Sequence, residues 1–523
     1  MKYIKKIKLV NFKRFESFEY IAREKRNIFI GDNEAGKSTI LQAIDLVLTG
    51  SRSRIEIIGL ETLFHQKIVT EFLKGDKKLT DLPHMVIEIY LNDYGELLLD
   101  GKNNSDEVVC HGVKLACEPM IEEYSQEIEC ALEHEGALFP FEYYNIQFST
   151  FAGQLYTQNR RFLNHILIDS SLIGTEYATR QYTKSLYEAN TSLVERHKNN
   201  HAYRHSKANF TVESLVQLNA ALDKTQFDVK SDGKSNLEQD LMITQEGIPV
   251  AQMGKGKQCF IKTEFALQQR KGAKPIDLIL IEEPENHLSH LNMRKLINEI
   301  EEATQTQIFI ATHSNSVCSR LDLHNASLIS PLENISISLS DLPDDTANFF
   351  IKAPNNKILE FILSKKVLLV EGDAEYMLID GMYENTYREK TEDANIHIIS
   401  VGGTSFKRYL DLANLLKIKT AVIRDNDGKH QENCIDNYAD YTGDLVQVFS
   451  DENDTDRTTL EKCIYQDNEA LCEELLSPGR KTLSVEEYML SNKADAALKI
   501  LEQGMDRLVA PKYIGNAFEW IRR

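Results

Sequence analysis

The chain has 523 residues, 42% apolar and 27% charged, which fits a soluble globular protein too long for one core and predicts two or three domains. Eight scattered cysteines exclude a disulfide scaffold and point to a reducing cytoplasm, and no run approaches the about 18 uncharged apolar residues of a membrane span. A formal charge of -20 works against bulk attraction to phosphates, so any nucleic-acid contact must come from local basic patches or from a partner.

From the start of the chain, Met1-Lys2-Tyr3-Ile4-Lys5-Lys6 leads into a predicted strand at residues 4–10, with no apolar signal core behind it. Lys2, Lys5, Lys6, Lys8, Lys13, Arg14, Arg23, Lys25 and Arg26 make this region basic; a nucleic-acid patch and a solvated strand edge account for it equally well. A strand at 27–30 then meets Gly31-Asp32-Asn33-Glu34-Ala35-Gly36-Lys37-Ser38-Thr39, a full Walker A pattern, followed by a predicted helix over 39–48. Gly31 and Gly36 let the backbone curl so that its N–H groups face phosphate, Lys37 reaches the β- and γ-phosphates, and Ser38 can hold Mg²⁺. Another strand is predicted over 85–91.

Residues 165–240 are polar, rich in Ala, Lys, Glu, Asn and Gln, and predict an inserted helical lobe, either a dimerisation arm or a monomeric one. A β-like rhythm returns at 248–265 and continues at 276–283 and 307–312. The second of these runs, Leu278-Ile279-Leu280-Ile281, delivers Glu282 to a Mg²⁺-water position and Glu283 to where a base polarises attacking water; Pro284-Glu285-Asn286-His287-Leu288 forms a turn. The third ends at His313, an imidazole placed to sense a γ-phosphate. The Asp- and Pro-containing stretch 331–354 predicts a domain boundary.

Beyond it, apolar strands at 366–371, 396–401 and 420–425 alternate with helical spacers, as in βα units on a parallel sheet. Functional groups in such sheets gather at the carboxyl ends of strands. There the chain has Glu371-Gly372-Asp373-Ala374-Glu375 and Asp425-Asn426-Asp427-Gly428. Carboxylates packed together repel unless cations neutralise them, which favours Mg²⁺ or Mn²⁺. Asp425 and Asp427 leave a strand as alternate residues, so the chain must turn there if both are to face one centre. Asp451–Asp456 is read as a solvated acidic loop. The spacing of Cys110, Cys117, Cys130 and His134 does not match a zinc site. The run 508–514 with Ala517, Trp520 and Ile521 predicts a closing helix.

The first motif set resembles the ABC-type ATPases of DNA repair and chromosome maintenance. That resemblance implies a composite site completed by a second subunit, with Gly254 and Gly256 of Gln252-Met253-Gly254-Lys255-Gly256-Lys257-Gln258 in the place of a signature whose usual Ser-Gly-Gly core is missing. Gln147, ahead of Gln154, would link the lobes through Mg²⁺. The second set resembles the TOPRIM domain, with Glu461 and Lys493 as additions seen in its nucleases. Together, in this order, they resemble the OLD family of ATP-dependent endonucleases, which includes the Gabija nuclease and effectors of some retrons.

The resemblance implies an α/β chain with an ABC-type ATPase over 1–164 and 241–345, the insertion at 165–240, and a TOPRIM domain over 346–523. It further implies that Glu371, Glu375, Asp425, Asp427 and Glu461 share two Mg²⁺ ions, that Lys493 steadies the transition state, and that ATP binds at the Walker A loop. The implied partners are DNA, a second copy of the chain, and a defence partner: a helicase-like protein, or a reverse transcriptase with its RNA–DNA product. The alternative is a scaffold or loading ATPase like the SMC proteins and RecF, in which those acids would be idle.

Overall fold

β1 (Ile4–Phe12) and β2 (Phe15–Ile21) form a hairpin in which Ile4, Ile7, Leu9, Phe15 and Phe18 point inward. Their alternation with more exposed residues is what a sheet with one covered face requires. The computed structural model describes residues 1–523 except 135, 159, 161, 170–179, 181–182, 185, 188–189, 223–224, 231–236, 259, 262–275, 287–288, 303–304, 331–335, 354–356 and 480–481. It divides into two compact units, residues 1–317 with 325–337, and residues 318–324 with 338–523.

In the first unit, β3 (Arg26–Ile30) leads into α1 (Lys37–Thr49). β4 (Met85–Leu91), β5 (Asp100–Gly101), β6 (Cys110–Pro119) and β7 (Tyr144–Thr150) extend the hairpin into an antiparallel sheet, in order β2-β1-β4-β6-β5 with β7 also on β6. A second sheet takes β3 with β8 (His165–Asp169), β9 (Leu278–Glu282), β10 (Gln307–Ala311), β11 (Ala326–Ile329) and β12 (Ser336–Ser338), in order β12-β11-β3-β10-β9-β8. β8, β9, β10, β3 and β11 run parallel. The apolar runs of the central strands β3, β9 and β10 are buried along their length, as in a sheet covered on both faces. α1 touches strands of both sheets and buries Ile40, Leu41, Ile44, Val47 and Leu48.

Two expectations change here. Residues 165–169, assigned to the start of the helical insertion, form β8, because they register against Leu278–Glu282 residue for residue. Helix does follow, in α2 (Leu193–Ser214), with shorter pieces at Val216–Ala220 and Leu237–Asp240. α2 starts on a capping box of Ser192 and Glu195 and buries none of its residues, leaving Leu193, Val194, Phe210 and Val212 exposed. The β-like rhythm expected over 248–265 reduces to the strand Ile248–Pro249 paired with Thr244–Gln245, then a 3₁₀ turn at Val250–Gln252 and helical turns at 255–258. Pro249 removes a ladder donor there. Residues 262–265 lie outside the described residues, as do 170–179 of the insertion.

In the second unit, β13 (Lys366–Val370), β14 (Ile396–Ser400), β15 (Lys419–Ile423) and β16 (Val446–Phe449) form a parallel sheet in order β14-β13-β15-β16. α3 (Asp373–Tyr387) follows β13 and α4 (Phe406–Leu416) follows β14, and the acidic residues 371–375 and 425–427 lie at carboxyl ends of central strands. α5 (Leu460–Asp467) and α6 (Lys493–Gln503) share a core with α3. The closing helix, α7 (Lys512–Arg522), packs on β15 and β16 and buries Tyr513, Ile514, Ala517, Phe518 and Ile521. The helix Asp344–Lys352 belongs to this unit and starts ahead of the boundary expected at 345/346; residues 331–335 and 354–356 of the boundary stretch are outside the described residues. Among the described residues, no helix is long and apolar enough to cross a membrane.

Candidate nucleotide cleft and carboxylate centre

The Walker A loop turns between β3 and α1 as its glycines predict. Gly36 is the left-handed N-cap of α1, with φ 101°, and a Cβ there would lie 2.4 Å from Cζ of Phe15. Lys37 is buried, and its ammonium donates at 2.8 Å to the carbonyls of Gly31 and of Asp32, folding the loop over an otherwise open N-terminus. Such a terminus presents unpaired N–H groups and the positive end of the helix dipole to an anion.

A cleft of about 540 Å³ opens there, lined by Asn33, Gly36, Lys37, Ser38, Thr39, Glu283 and His313, together with Lys13 and Arg14. Its volume is in the range of small-molecule sites. Glu282 ends β9 beside Ser38, with which it hydrogen-bonds; burial, then Asp169 and Glu283, raise its carboxyl against Ser38 and Lys37. Glu283 follows with φ 46°, its N–H donating to the Ala311 carbonyl at 2.8 Å. Its Oε1 lies 3.6 Å from Nε2 of His313. The backbone N–H of His313 donates to Oε1 of Glu285 at 2.7 Å, and the Thr312 hydroxyl donates to the same oxygen at 2.8 Å. Burial and then the Lys37 ammonium push the His313 imidazole below its ordinary value, outweighing Glu283, Glu285 and Asp32. A neutral imidazole offers one donor and one acceptor.

Three sequence-assigned residues stand apart from this cleft lining. Gln147 is exposed on β7, opposite Ala116 in the antiparallel sheet. Gly254 begins a helical turn, accepting from the Gln258 N–H at 3.0 Å, with Gly256 inside that turn. His287 and Leu288 lie outside the described residues. Lys13 and Arg14, read only as part of a basic stretch, are cleft residues; the signal for them was a basic pair at a hairpin turn between Phe12 and Phe15, which pair across β1 and β2. Elsewhere in the basic stretch, Lys6 and Lys8 both pair with Asp106 of a later segment.

In the second unit, Glu371, Glu375, Asp425, Glu461 and Lys493 converge. Glu375 is buried on the first turn of α3 and accepts from the Gly372 N–H at 3.2 Å. Asp425 is buried, its Oδ1 accepting from the Leu460 N–H at 2.8 Å, which seats the start of α5 and Glu461 beside it. Lys493, the first residue of α6, places its ammonium 3.0 Å from Oε2 of Glu461 and 3.9 Å from Oδ2 of Asp425. That approach still leaves both Glu461 oxygens short of a well-formed hydrogen bond, and Oε2 of Glu371 is buried with none.

Burial, then Glu375 and Glu461, push Asp425 up to about 8. Glu371 and Glu375 are likewise raised, chiefly by burial. Burial opposes the Lys493 charge, yet Glu461 and Asp425 raise its ammonium above the ordinary value. Acids so placed share too few positive charges among them, which is the condition a cation relieves. Among the described residues, no three His, Cys, Asp or Glu side chains already stand in a metal-holding arrangement; Lys493 occupies the space between Glu461 and Asp425.

Asp427 takes the turn that the alternation demanded, with φ 52°, followed by Gly428 at φ 75°. Its carboxylate is half exposed and lies 3.7 Å from Nη2 of Arg424, so it sits at the rim beside Glu371, whose charge it opposes. Arg424 is a residue the sequence reading passed over. It is buried, with Nη1 donating to the Tyr438 hydroxyl at 3.0 Å and Nε to the Asp425 carbonyl at 3.2 Å. Asn426 was also missed. Its amide donates to the carbonyls of Asp451, Asn453 and Arg457 at 2.8, 3.1 and 3.2 Å. The acidic loop it holds is exposed over 452–456, while Asp451 pairs with Arg457 at 2.7 Å.

The AAA ATPase domain family matches residues 1–318, and the family described as "Overcoming lysogenization defect protein-like, TOPRIM domain" matches residues 362–427. Among solved structures, the C-terminal region of the Xanthomonas campestris pv. campestris OLD protein is 23% identical, covering 30% of this chain and 94% of that one, with a TM-score of 0.23. The Burkholderia pseudomallei counterpart is 21% identical over 31% and 98% of the two chains, with a TM-score of 0.23. The SMC head domain from Thermotoga maritima is 14% identical over 64% and 97%, with a TM-score of 0.30. No curated protein is a significant match.

Proposed function

From a chain that belongs to the AAA ATPase domain family and joins that ATPase to an OLD-like TOPRIM domain, we propose a nucleotide-regulated, Mg²⁺- or Mn²⁺-dependent DNA endonuclease. The observation that carries the reading is the gathering of Glu375, Asp425 and Glu461 around Lys493, beside Glu371, with Glu371, Glu375 and Asp425 inside the TOPRIM match. Oε2 of Glu371 and Oε1 of Glu461, which no hydrogen-bond donor meets, and the raised Asp425 fit a divalent cation as a further partner.

Glu371, Glu375, Asp425, Asp427 and Glu461 would hold the metal. When bound, the metal supplies a nucleophile from water and charge neutralisation at the leaving 3′-oxygen. The chain's own part is orientation. The Leu460 N–H fixes one oxygen of Asp425, the Gly372 N–H fixes one of Glu375, and Lys493 carries positive charge to where a phosphodiester gains negative charge. At the other site, Lys37 and the N–H groups of the Walker A loop hold the nucleotide phosphates, Glu282 and Ser38 hold its Mg²⁺, and Glu283 with His313 meets the γ-phosphate side. A second copy completes the ATPase site, with Gly254 and Gly256 facing the phosphates across the dimer and Gln147 linking the two lobes through Mg²⁺.

The setting we infer is antiphage defence within a multi-component complex. The order of the two motif sets along one chain, the same order as in the Gabija and retron effectors, supports it. Cleavage of supercoiled plasmid in Mg²⁺ or Mn²⁺ tests the core of the proposal. Glu461→Gln should reduce nicking by at least the roughly 10–100-fold that even outer partners of metal ligands cost. Equal cutting by Glu461→Gln and the native protein would place the chemistry elsewhere. Absence of metal-dependent cutting by the native protein, with ATP-dependent loading on DNA intact, would favour the scaffold alternative.

A further inference from the structure

The second unit contains a cavity that the carboxylate chemistry does not use. It measures about 630 Å³ and is lined by Asp345, Phe349, Thr404, Ser405, Lys407, Arg408, Arg424, Asn437, Tyr438 and Tyr441. Three cations and several hydroxyls therefore face it, against one carboxylate, and that carboxylate is engaged by Arg408 in an ion pair. Tyr438 is buried in the wall, with Lys407 Nζ and Arg424 Cζ each 5.8 Å from its ring centroid. The aromatic face helps keep two like charges close together in a partly dry wall. Thr404 and Ser405 stand at the start of α4, whose first-turn N–H groups add to the same potential.

Two links join this cavity to the acidic centre. The Gly403 N–H donates to the carbonyl of Glu371 at 2.9 Å, so the loop carrying Thr404 and Ser405 is fastened to the loop carrying Glu371. Arg424 lines the cavity while donating to the Asp425 carbonyl at 3.2 Å and lying 3.7 Å from Asp427. An anion-attracting hollow is thus built onto the flank of a strongly acidic site in a chain of net charge -20. A polyanionic strand needs such a place, because the carboxylates alone would repel it.

We propose that this cavity is a strand-positioning subsite, in which Lys407, Arg408, Thr404 and Ser405 hold a backbone phosphate of the DNA next to the one being cut. The inference rests on the endonuclease reading and deepens it by saying where the substrate is gripped. The subsite reads backbone and not base, so it contributes affinity and register without sequence preference. Lys407 is the residue to test, since it is exposed and its removal leaves the core untouched.

The experiment measures binding of a short labelled duplex by anisotropy, in EDTA and across a range of salt, with the full-length protein. Lys407→Ala should weaken binding and lower the slope of log affinity against log salt by about 1, the signature of one lost phosphate contact. Thr404→Glu, which puts a carboxylate at the exposed mouth, should weaken binding further. In the plasmid assay both variants should raise KM and leave kcat near native, whereas a general loss of structure would lower kcat. Unchanged affinity and slope in both variants, with native cutting intact, would overturn the subsite and leave the endonuclease standing. A Lys407-dependent slope in a protein that never cuts would keep a backbone-phosphate site at this cavity and overturn its place beside a cut phosphate. A native protein that neither binds nor cuts DNA would remove both.

Discussion

Asp425 is where local chemistry is most exposed to measurement. Burial and the neighbouring Glu375 and Glu461 push it up to about 8, so the folded protein keeps a proton near neutrality that the unfolded chain releases in the ordinary carboxylate range. The folded state then binds the more protons across that window, and its stability falls as pH climbs from about 4 toward 8. A divalent cation competes with that proton for the same oxygens, so apparent metal affinity should rise over the upper part of the window. Calorimetric titration with Mn²⁺ at about pH 6 and about pH 8 checks this. A pH-independent affinity, or an Asp425→Asn protein with the native pH dependence, would contradict it. Lys37 is the corresponding residue in the other unit. Its ammonium is tied to two loop carbonyls 2.8 Å away and must exchange at least part of that bonding for phosphate. Lys37→Ala should abolish detectable binding of a fluorescent ATP analogue while leaving the melting temperature close to native.

Between residue and domain, the turn after β15 organises more than its own four residues. Asn426 spends its side-chain amide on three carbonyls of the 451–457 loop, and its own Oδ1 accepts from the Gly428 N–H at 2.8 Å. That amide holds the loop together with the Asp451–Arg457 ion pair and the Asn453 Oδ1, which accepts from the N–H groups of Thr455 and Asp456. Asn426→Ala should cost roughly 1–3 kcal/mol, because its two N–H groups are shared among three part-buried carbonyls and each such bond is worth about 1 kcal/mol. It should also open 451–457 to limited proteolysis. Native thermal stability together with a native digestion pattern would show that the loop holds itself. Strand positions were legible because parallel strands buried on both faces carry short unbroken apolar runs, as residues 28–30 of β3, 278–281 of β9, 308–311 of β10, 367–370 of β13 and 421–423 of β15 do. β8 was missed because its five residues sit at an edge beside a long polar segment. Nothing local distinguishes such a strand from the helices that follow; its pairing with Leu278–Glu282, more than one hundred residues away, decides it.

For the whole molecule, the ATPase motifs and the carboxylate motifs follow one another along a single chain. Our hypothesis is that nucleotide state in the ATPase governs cutting by the carboxylate centre. Plasmid cleavage by native and Lys37→Ala proteins, each with and without ATP, should then split into different responses. Four identical rates would end the hypothesis. The same preparations read by light scattering should show ATP-dependent association only when Lys37 is present, if a second copy completes the nucleotide site.

The amino-acid sequence alone determined the kinds of chemistry present and their order. A Walker A loop needs its glycines and lysine at fixed spacing, and acids at strand ends announce themselves, so Lys37, Glu282, Glu371, Glu375 and Asp425 could be named from local pattern. Tertiary structure alone decided which of these groups share a space. It brought Glu461 and Lys493 to Asp425 across tens of residues, set Asp427 at the rim, seated Lys13 and Arg14 at the Walker A loop, and wrapped Lys407 and Arg424 around Tyr438. The physical reason is that proximity between distant segments, and the burial that shifts a charge, come from packing that no short stretch of sequence contains.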